Sequence, residues 1–215
     1  MDEPAHDEPP LVEWVALSDT LMRGLVHALN NRITALGAFL ELAAMGDAEF
    51  TPERVLPGEI QSLQRVNTLF RALLEEVSAP EAMEITPVIE EALALHAHHP
   101  RLRTLRCEVE HVGAPVPLRV PRWAFVRLVL LYMEAAKLAA DRAGRTVAVL
   151  TLISTDETVV LQTPSKEAPT PYTAMMAAAC GGTLSNDGDS LVLSLPTLLE
   201  VRRRERAARS GLPPA

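Results

Sequence analysis

Between Met22 and Ala43 the apolar residues fall at Met22, Val26, Leu29, Ile33, Leu36, Leu40 and Ala43. These alternating steps of four and three predict an amphipathic helix with the seven-residue repeat of a bundle or coiled coil. The pattern starts at Leu11 or Ser18 and runs to Ala44, and Met45-Gly46-Asp47 supplies a glycine where a helix ends. Thr51-Pro52 is a restart signal, a hydroxyl cap followed by proline at the first helical position. A second stripe follows at Ile60, Leu63, Val66, Phe70, Leu73 and Val77, with Pro57-Gly58 expected to bend that helix or delay its start. Two long helices with a short connection form an antiparallel hairpin. A lone hairpin cannot bury both stripes, so two chains are expected to pair into a four-helix bundle.

Ser78-Ala79-Pro80 marks a change of pattern. Thr86-Pro87 reads as the cap of a helix that reaches His99 and stops at Pro100. Leu105, Cys107 and Val109 alternate with polar residues as in a strand. After the proline-punctuated PVPLRVP, Pro121 opens a helix to about Ala143, closed by Gly144. Strands are expected at Thr146–Ile153 and Thr158–Gln162, joined at Thr155-Asp156-Glu157. A short helix from Pro171 ends at Gly181-Gly182, and a hairpin from Thr183 to Leu195 turns through Asn186-Asp187-Gly188. The order suggests a two-layer α/β sandwich and an α+β protein. The division is a disordered start at 1–10, a helical hairpin at 11–79, an α/β domain at 80–198 and a basic tail at 199–215.

Composition adds constraints. A length of 215 residues suits one large domain or two small ones. Aromatic residues at 4% and abundant alanine and leucine favour helices. A net charge of −8 speaks against a generic nucleic-acid binder. Cys107 and Cys180 lie far apart in apolar surroundings, which favours buried reduced thiols over a disulfide. No apolar run is long enough to cross a bilayer, and the acidic, proline-containing start does not read as a signal peptide. A cytoplasmic protein is expected, with no membrane partner.

The candidate chemistry centres on His27. Arg23, Asn31 and Thr34 lie four before, four after and seven after it, so one helical face carries four polar groups beside the apolar seam. An unprotonated imidazole has a free nitrogen lone pair and serves as a nucleophile when exposed. His96, His98 and His99 crowd one helix end with no carboxylate or thiolate near in sequence, and read as cationic histidines at a helix C-terminus rather than metal ligands. Glu134 and Lys137 read as a surface ion pair. Asp156-Glu157 and Asp187-Gly188-Asp189 are turn chemistry.

HALNNRITAL, from His27 to Leu36, resembles the H-box of the dimerisation and histidine-phosphotransfer domain of two-component histidine kinases. It is similar too to the H-box of bacterial phosphorelay phosphotransferases built on that scaffold. LLYMEAAK, Leu130 to Lys137, lies where the family's ATP-binding domain has its Asn-box helix, and CGGTLSNDGDSLVLSLP resembles that domain's closing segment. The resemblance covers roughly residues 18–196 and implies a dimeric four-helix bundle followed by a histidine-kinase-type α/β sandwich.

That sandwich departs from the family at its ATP site. Glu134 stands where the family has its Mg²⁺-ligating Asn, and Thr163-Pro164-Ser165-Lys166-Glu167 stands where it has Asp-x-Gly-x-Gly. The glycine-rich lid is missing. Cradling phosphates needs backbone N–H groups exposed by glycine and a metal to spread charge. A degenerate domain that does not bind ATP in the family's way is expected. Ala28 replaces the acidic residue that usually follows the phosphorylated histidine, which fits absent autokinase activity.

The resemblance therefore implies an ATP-independent histidine phosphotransferase relaying phosphoryl groups between receiver-domain aspartates through His27. Asn31 and Arg23 assist, response-regulator receiver domains and a second copy of the chain are the partners, and Mg²⁺ comes from the receiver, so no cofactor is expected here. Arg32 is placed toward the flank, and Leu36, Phe70 and Leu73 are candidates for the docking face. The alternative is a catalytically inactive kinase-like binding regulator, or a receiver phosphatase in which Asn31 orients water.

Overall fold

The computed structural model of the protein describes residues 11–45 and 52–210. The readings made for residues 1–10, Gly46, Asp47, Thr51 and the last five residues lie outside that range.

The chain opens with α1 (Val12–Ala44) and α2 (Pro52–Leu73), packed along one another. Arg32 reaches across to Glu59 at 3.2 Å and ties the two at mid-height. Pro57 lies inside α2, which starts at Pro52, so the proline does not delay that helix. Val77 falls beyond the end of α2 and is exposed, which removes it from the stripe.

The apolar stripe of α1 divides into two rows. Met22, Leu29, Leu36 and Ala43 are half-buried, whereas Val26, Ile33 and Leu40 are exposed by 42%, 55% and 61%. Each row repeats every seven residues, so a paired helix covers one and leaves the other open. The lower part of α1 buries a different row, Trp14, Leu17, Leu21 and Leu25. These side chains face the rest of the molecule rather than α2 alone, and belong to the main core with Val66, Leu69 and Leu73 of α2.

After α2 come β1 (Glu81–Met83), α3 (Ile85–His96), β2 (Arg106–Val112), β3 (Leu118–Val120) and α4 (Arg122–Arg142). Then follow β4 (Val147–Ser154), β5 (Thr158–Pro164), α5 (Pro171–Ala179), β6 (Thr183–Asn186), β7 (Ser190–Pro196) and α6 (Leu198–Ser210). Five strands form a mixed sheet in the order β2-β4-β5-β7-β6, with β2 parallel to β4 and the other neighbours antiparallel. The parallel pair needs a crossover, and α4 provides it, lying on the sheet with α3 and α5 beside it. Alternate residues of β5 and β7, such as Val159, Leu161, Leu193 and Leu195, point into the helical layer and are buried. The fold is α+β: a helical pair followed by a two-layer sandwich.

Several local expectations change. Thr86 is not a cap, because α3 begins at Ile85 with extended Glu84 ahead of it. PVPLRVP contains β3, which pairs with β1 in a small antiparallel ribbon. Helix α6 occupies most of the stretch read as a basic tail. The Thr197 hydroxyl accepts the Glu200 N–H at 3.2 Å, and the Leu198 N–H donates to Pro117 O at 2.9 Å. Arg204 pairs with Glu200 at 2.7 Å and Glu205 with Arg119 at 2.7 Å. Cys180 is buried and Cys107 half-buried, both as free thiols.

The change of pattern at Ser78–Pro80 does not separate two cores. Trp14 and Leu21 of α1 share one continuous apolar cluster with Phe125 and Tyr172. Trp14 stacks on Tyr172 with ring centroids 6.4 Å apart. Arg127 of α4 is held between two indoles, 4.9 Å from the Trp14 ring and 5.0 Å from that of Trp123, and donates to the Tyr172 hydroxyl at 3.2 Å. At the foot of α1, Glu13 accepts hydrogen bonds from the hydroxyls of Thr170 and Thr173, which open α5.

Candidate functional site

His27 stands where α1 leaves this body. Leu25 is fully buried, Ala28 and Leu29 are half-buried, and from Asn30 to Thr34 every residue is exposed. Gly24 fixes that level. A Cβ built there would lie 1.8 Å from the carbonyl oxygen of His98, so α1 touches the end of α3 only because residue 24 has no side chain. Helical geometry then puts His27 less than one turn above this contact, rotated about 60° around the axis.

The imidazole is exposed and its Nε2 lies 3.2 Å from Nδ2 of Asn31. With the amide as donor, Nε2 accepts and the ring proton resides on Nδ1. Asn31 therefore selects the tautomer whose lone pair lies on Nε2, and can turn its N–H groups onto an anion bound there. Arg23 does not touch His27. It pairs with Asp19 one turn below, at 2.6 Å, and both side chains are mostly exposed, so the pair is weak and easily exchanged. Asp19, Arg23, His27 and Asn31 thus form a ladder with a four-residue step. Arg32 is engaged with Glu59 on the flank, as its position suggests. Leu36 and Phe70 are half-buried, but Leu73 is buried in the core and is unavailable to a partner.

The histidines at the end of α3 behave otherwise than the sequence indicates. His96 and His99 are buried with stacked rings, centroids 5.3 Å apart. The missing carboxylate comes from α4: Glu134 lies 2.9 Å from His96 Nε2 and 3.5 Å from His99 Nε2. His99 Nδ1 accepts the backbone N–H groups of Arg101 and Leu102, at 3.2 and 3.0 Å, which leaves the proton on Nε2 to face Glu134. Nδ1 of His96 is buried without a partner. Burial lowers the His96 pKa, although the hydrogen bond to Glu134 opposes that shift. Burial works to raise the Glu134 pKa, but the imidazole N–H groups outweigh it and hold the carboxyl well below its ordinary value. The arrangement is an ionised glutamate between two neutral imidazoles.

Glu134 and Lys137 therefore do not form a surface pair. Lys137 is buried and donates to Leu102 O at 3.3 Å. Among the described residues no group of three or more histidine, cysteine or acidic side chains could hold a metal ion. The buried cluster was hidden in the sequence because its members are 38 residues apart. The only available signal was a charged pair on an otherwise apolar stretch of α4.

The segment Thr163 to Glu167, where the resemblance puts a glycine-rich loop, ends β5 and leads toward α5 with no glycine. Glu134, where the resemblance puts a Mg²⁺-ligating Asn, is turned to His96 and His99. No helix among the described residues is long and apolar enough to cross a membrane.

No protein-family profile matches the chain, and no curated protein does. Among solved structures it is similar to the histidine kinase AdeS of Acinetobacter baumannii, with 16% identity over 80% of this chain and 96% of that one, at a TM-score of 0.40. It is similar to the ATP-binding domain of PrrB from Mycobacterium tuberculosis, with 18% identity over 56% of this chain and 98% of that one, at a TM-score of 0.42. A bacterial phosphotransferase covers 84% of this chain with 95% of its own, at 16% identity and a TM-score of 0.36.

Proposed function

We propose that the protein is an ATP-independent histidine phosphotransferase of a two-component phosphorelay, carrying phosphoryl groups between receiver-domain aspartates on His27. The observation that carries this reading is an exposed imidazole whose Nε2 is paired with the Asn31 amide, on a bare helical face where α1 leaves the packed core. The H-box resemblance of HALNNRITAL supports it. Glu134 held by His96 and His99, and the glycine-free Thr163–Glu167 segment, support the absence of family-type ATP binding.

In this mechanism the aspartyl phosphate of a receiver approaches the Asp19–Asn31 face. The Nε2 lone pair forms the N–P bond in line as the bond from phosphorus to the aspartyl oxygen breaks, releasing a carboxylate. The Asn31 amide moves from Nε2 to a phosphoryl oxygen. Arg23, freed from Asp19, adds positive charge to the same face. The receiver supplies the Mg²⁺. Attack by a second receiver's carboxylate reverses these bonds and regenerates the imidazole. Two chains pair through Val26, Ile33 and Leu40, the row that α2 leaves uncovered.

A second reading is supported by residue 28. Ala28 is half-buried against the core and offers no carboxylate to take a ring proton, which suits a binding regulator or an Asn31-based phosphatase. The test is incubation with labelled phospho-receiver and, separately, with labelled ATP. The proposal expects acid-labile label from the receiver alone, absent in His27→Ala. No label from either source, with receiver binding retained, sinks transfer and supports the regulator. Loss of receiver phosphate that persists in His27→Gln and fails in Asn31→Ala supports the phosphatase.

A further inference from the structure

Away from His27, the C-terminal half of α4 leaves a half-open cleft of about 410 Å³ against the start of β4. Its origin is compositional. Ala135, Ala136, Ala139, Ala140 and Ala143 present methyl groups where the first half of α4 presents phenylalanine, leucine and valine. Ala136, Ala140 and Ala148 form a small apolar cluster of their own, not joined to the main core. Interiors pack closely, and apolar walls left to water gain when an apolar body covers them.

The charges at the mouth define the other end of an occupant. Arg142 is neutralised by Glu167, and Lys166 stands 4.0 Å from Asp189. Arg145 lines the same mouth with no ion pair among the described residues. A small cleft with alanine walls, charged side chains gathered at its mouth and one guanidinium among them with no ion-pair partner among the described residues has the general form of a small-molecule site.

We propose that this cleft binds a small amphipathic anion, an aliphatic carboxylate whose chain lies on the α4 alanines and whose head pairs with Arg145. The site is separate from His27 and does not depend on the phosphotransfer reading. A second ligand of this kind would make the degenerate domain a sensor rather than a scaffold alone.

The test uses the full chain and sodium decanoate, followed by calorimetry and by displacement of anilinonaphthalene sulfonate fluorescence. Saturable binding of decanoate is expected, weaker for uncharged decanol and weakened about tenfold or more by Arg145→Glu. Ala139→Phe, which fills the cleft, should abolish binding. Because Arg145 is exposed and unpaired, Arg145→Glu keeps the fold and remains informative if Ala139→Phe does not fold. Absence of saturable binding, equal affinity in Arg145→Glu, or displacement of the probe by Mg-ATP in place of decanoate would each overturn the proposal.

Discussion

Gly24 and the imidazoles of α3 are the residues where single atoms decide most. Gly24→Ala gains helix propensity but drives a Cβ into the His98 carbonyl. The clash outweighs the gain, and a net loss of about 1–3 kcal/mol in urea denaturation is expected. A neutral or stabilising effect would mean that α1 does not sit on the end of α3. His96 gives a pH dependence with a defined sign. Its folded-state pKa is lowered by burial, so its share of stability is complete above the ordinary histidine value of about 6.5 and falls away as the pH drops below that. The slope contributed by one such group approaches about 1.4 kcal/mol per pH unit. His98, half-buried beside Gly24 and lowered by burial too, adds in the same direction. Glu134 acts in a more acidic window, because a depressed carboxyl loses its contribution only as the pH falls below about 4.5. Denaturation midpoints between pH 7.5 and 5 should therefore decline in the native protein and flatten in His96→Gln. A flat native profile would contradict the neutral, buried imidazole.

Helix α1 is the element that joins the two halves of the molecule, and its two apolar rows make separate predictions. Ile33 lies in the exposed row, so Ile33→Asp should leave the monomer fold intact and abolish the proposed chain pairing in sedimentation velocity. Leu21 lies in the fully buried row, so Leu21→Ala should cost about 2–5 kcal/mol of stability. Persistent dimers in Ile33→Asp would move the interface elsewhere. The period of α1 was legible because every residue in its upper half faces either α2 or solvent. The row from Trp14 to Leu25 was not, because what it packs against comes from α4 and α5, more than a hundred residues later. The same limit hid β1 and β3, three-residue strands that exist by pairing with each other, and the Glu134 cluster, whose partners His96 and His99 lie at and just beyond the end of α3. That His27 and Asn31 share one helical face and lie within contact was readable from their four-residue spacing. The engagement of Arg23 with Asp19 follows the same four-residue spacing one turn further down.

For the molecule as a whole, the Arg127 clamp is a polar tie between the helical pair and the sandwich, beside the apolar cluster they share. Removing the guanidinium in Arg127→Ala leaves two indoles without their cation and the Tyr172 hydroxyl without its donor. A loss of about 2 kcal/mol is expected, with a change in tryptophan fluorescence before global unfolding. An unchanged urea midpoint would show that the apolar cluster alone holds the halves together. The shared core has a further consequence, written along a single helix. Below Leu25 the amide groups of α1 can exchange with solvent only when the whole molecule opens, whereas above Asn30 they are released by partial opening of the hairpin. One unbroken helix of 33 residues should therefore have two exchange lifetimes, slow at its foot and fast at its head. His27 occupies the step between them, at the level where α1 leaves the shared core.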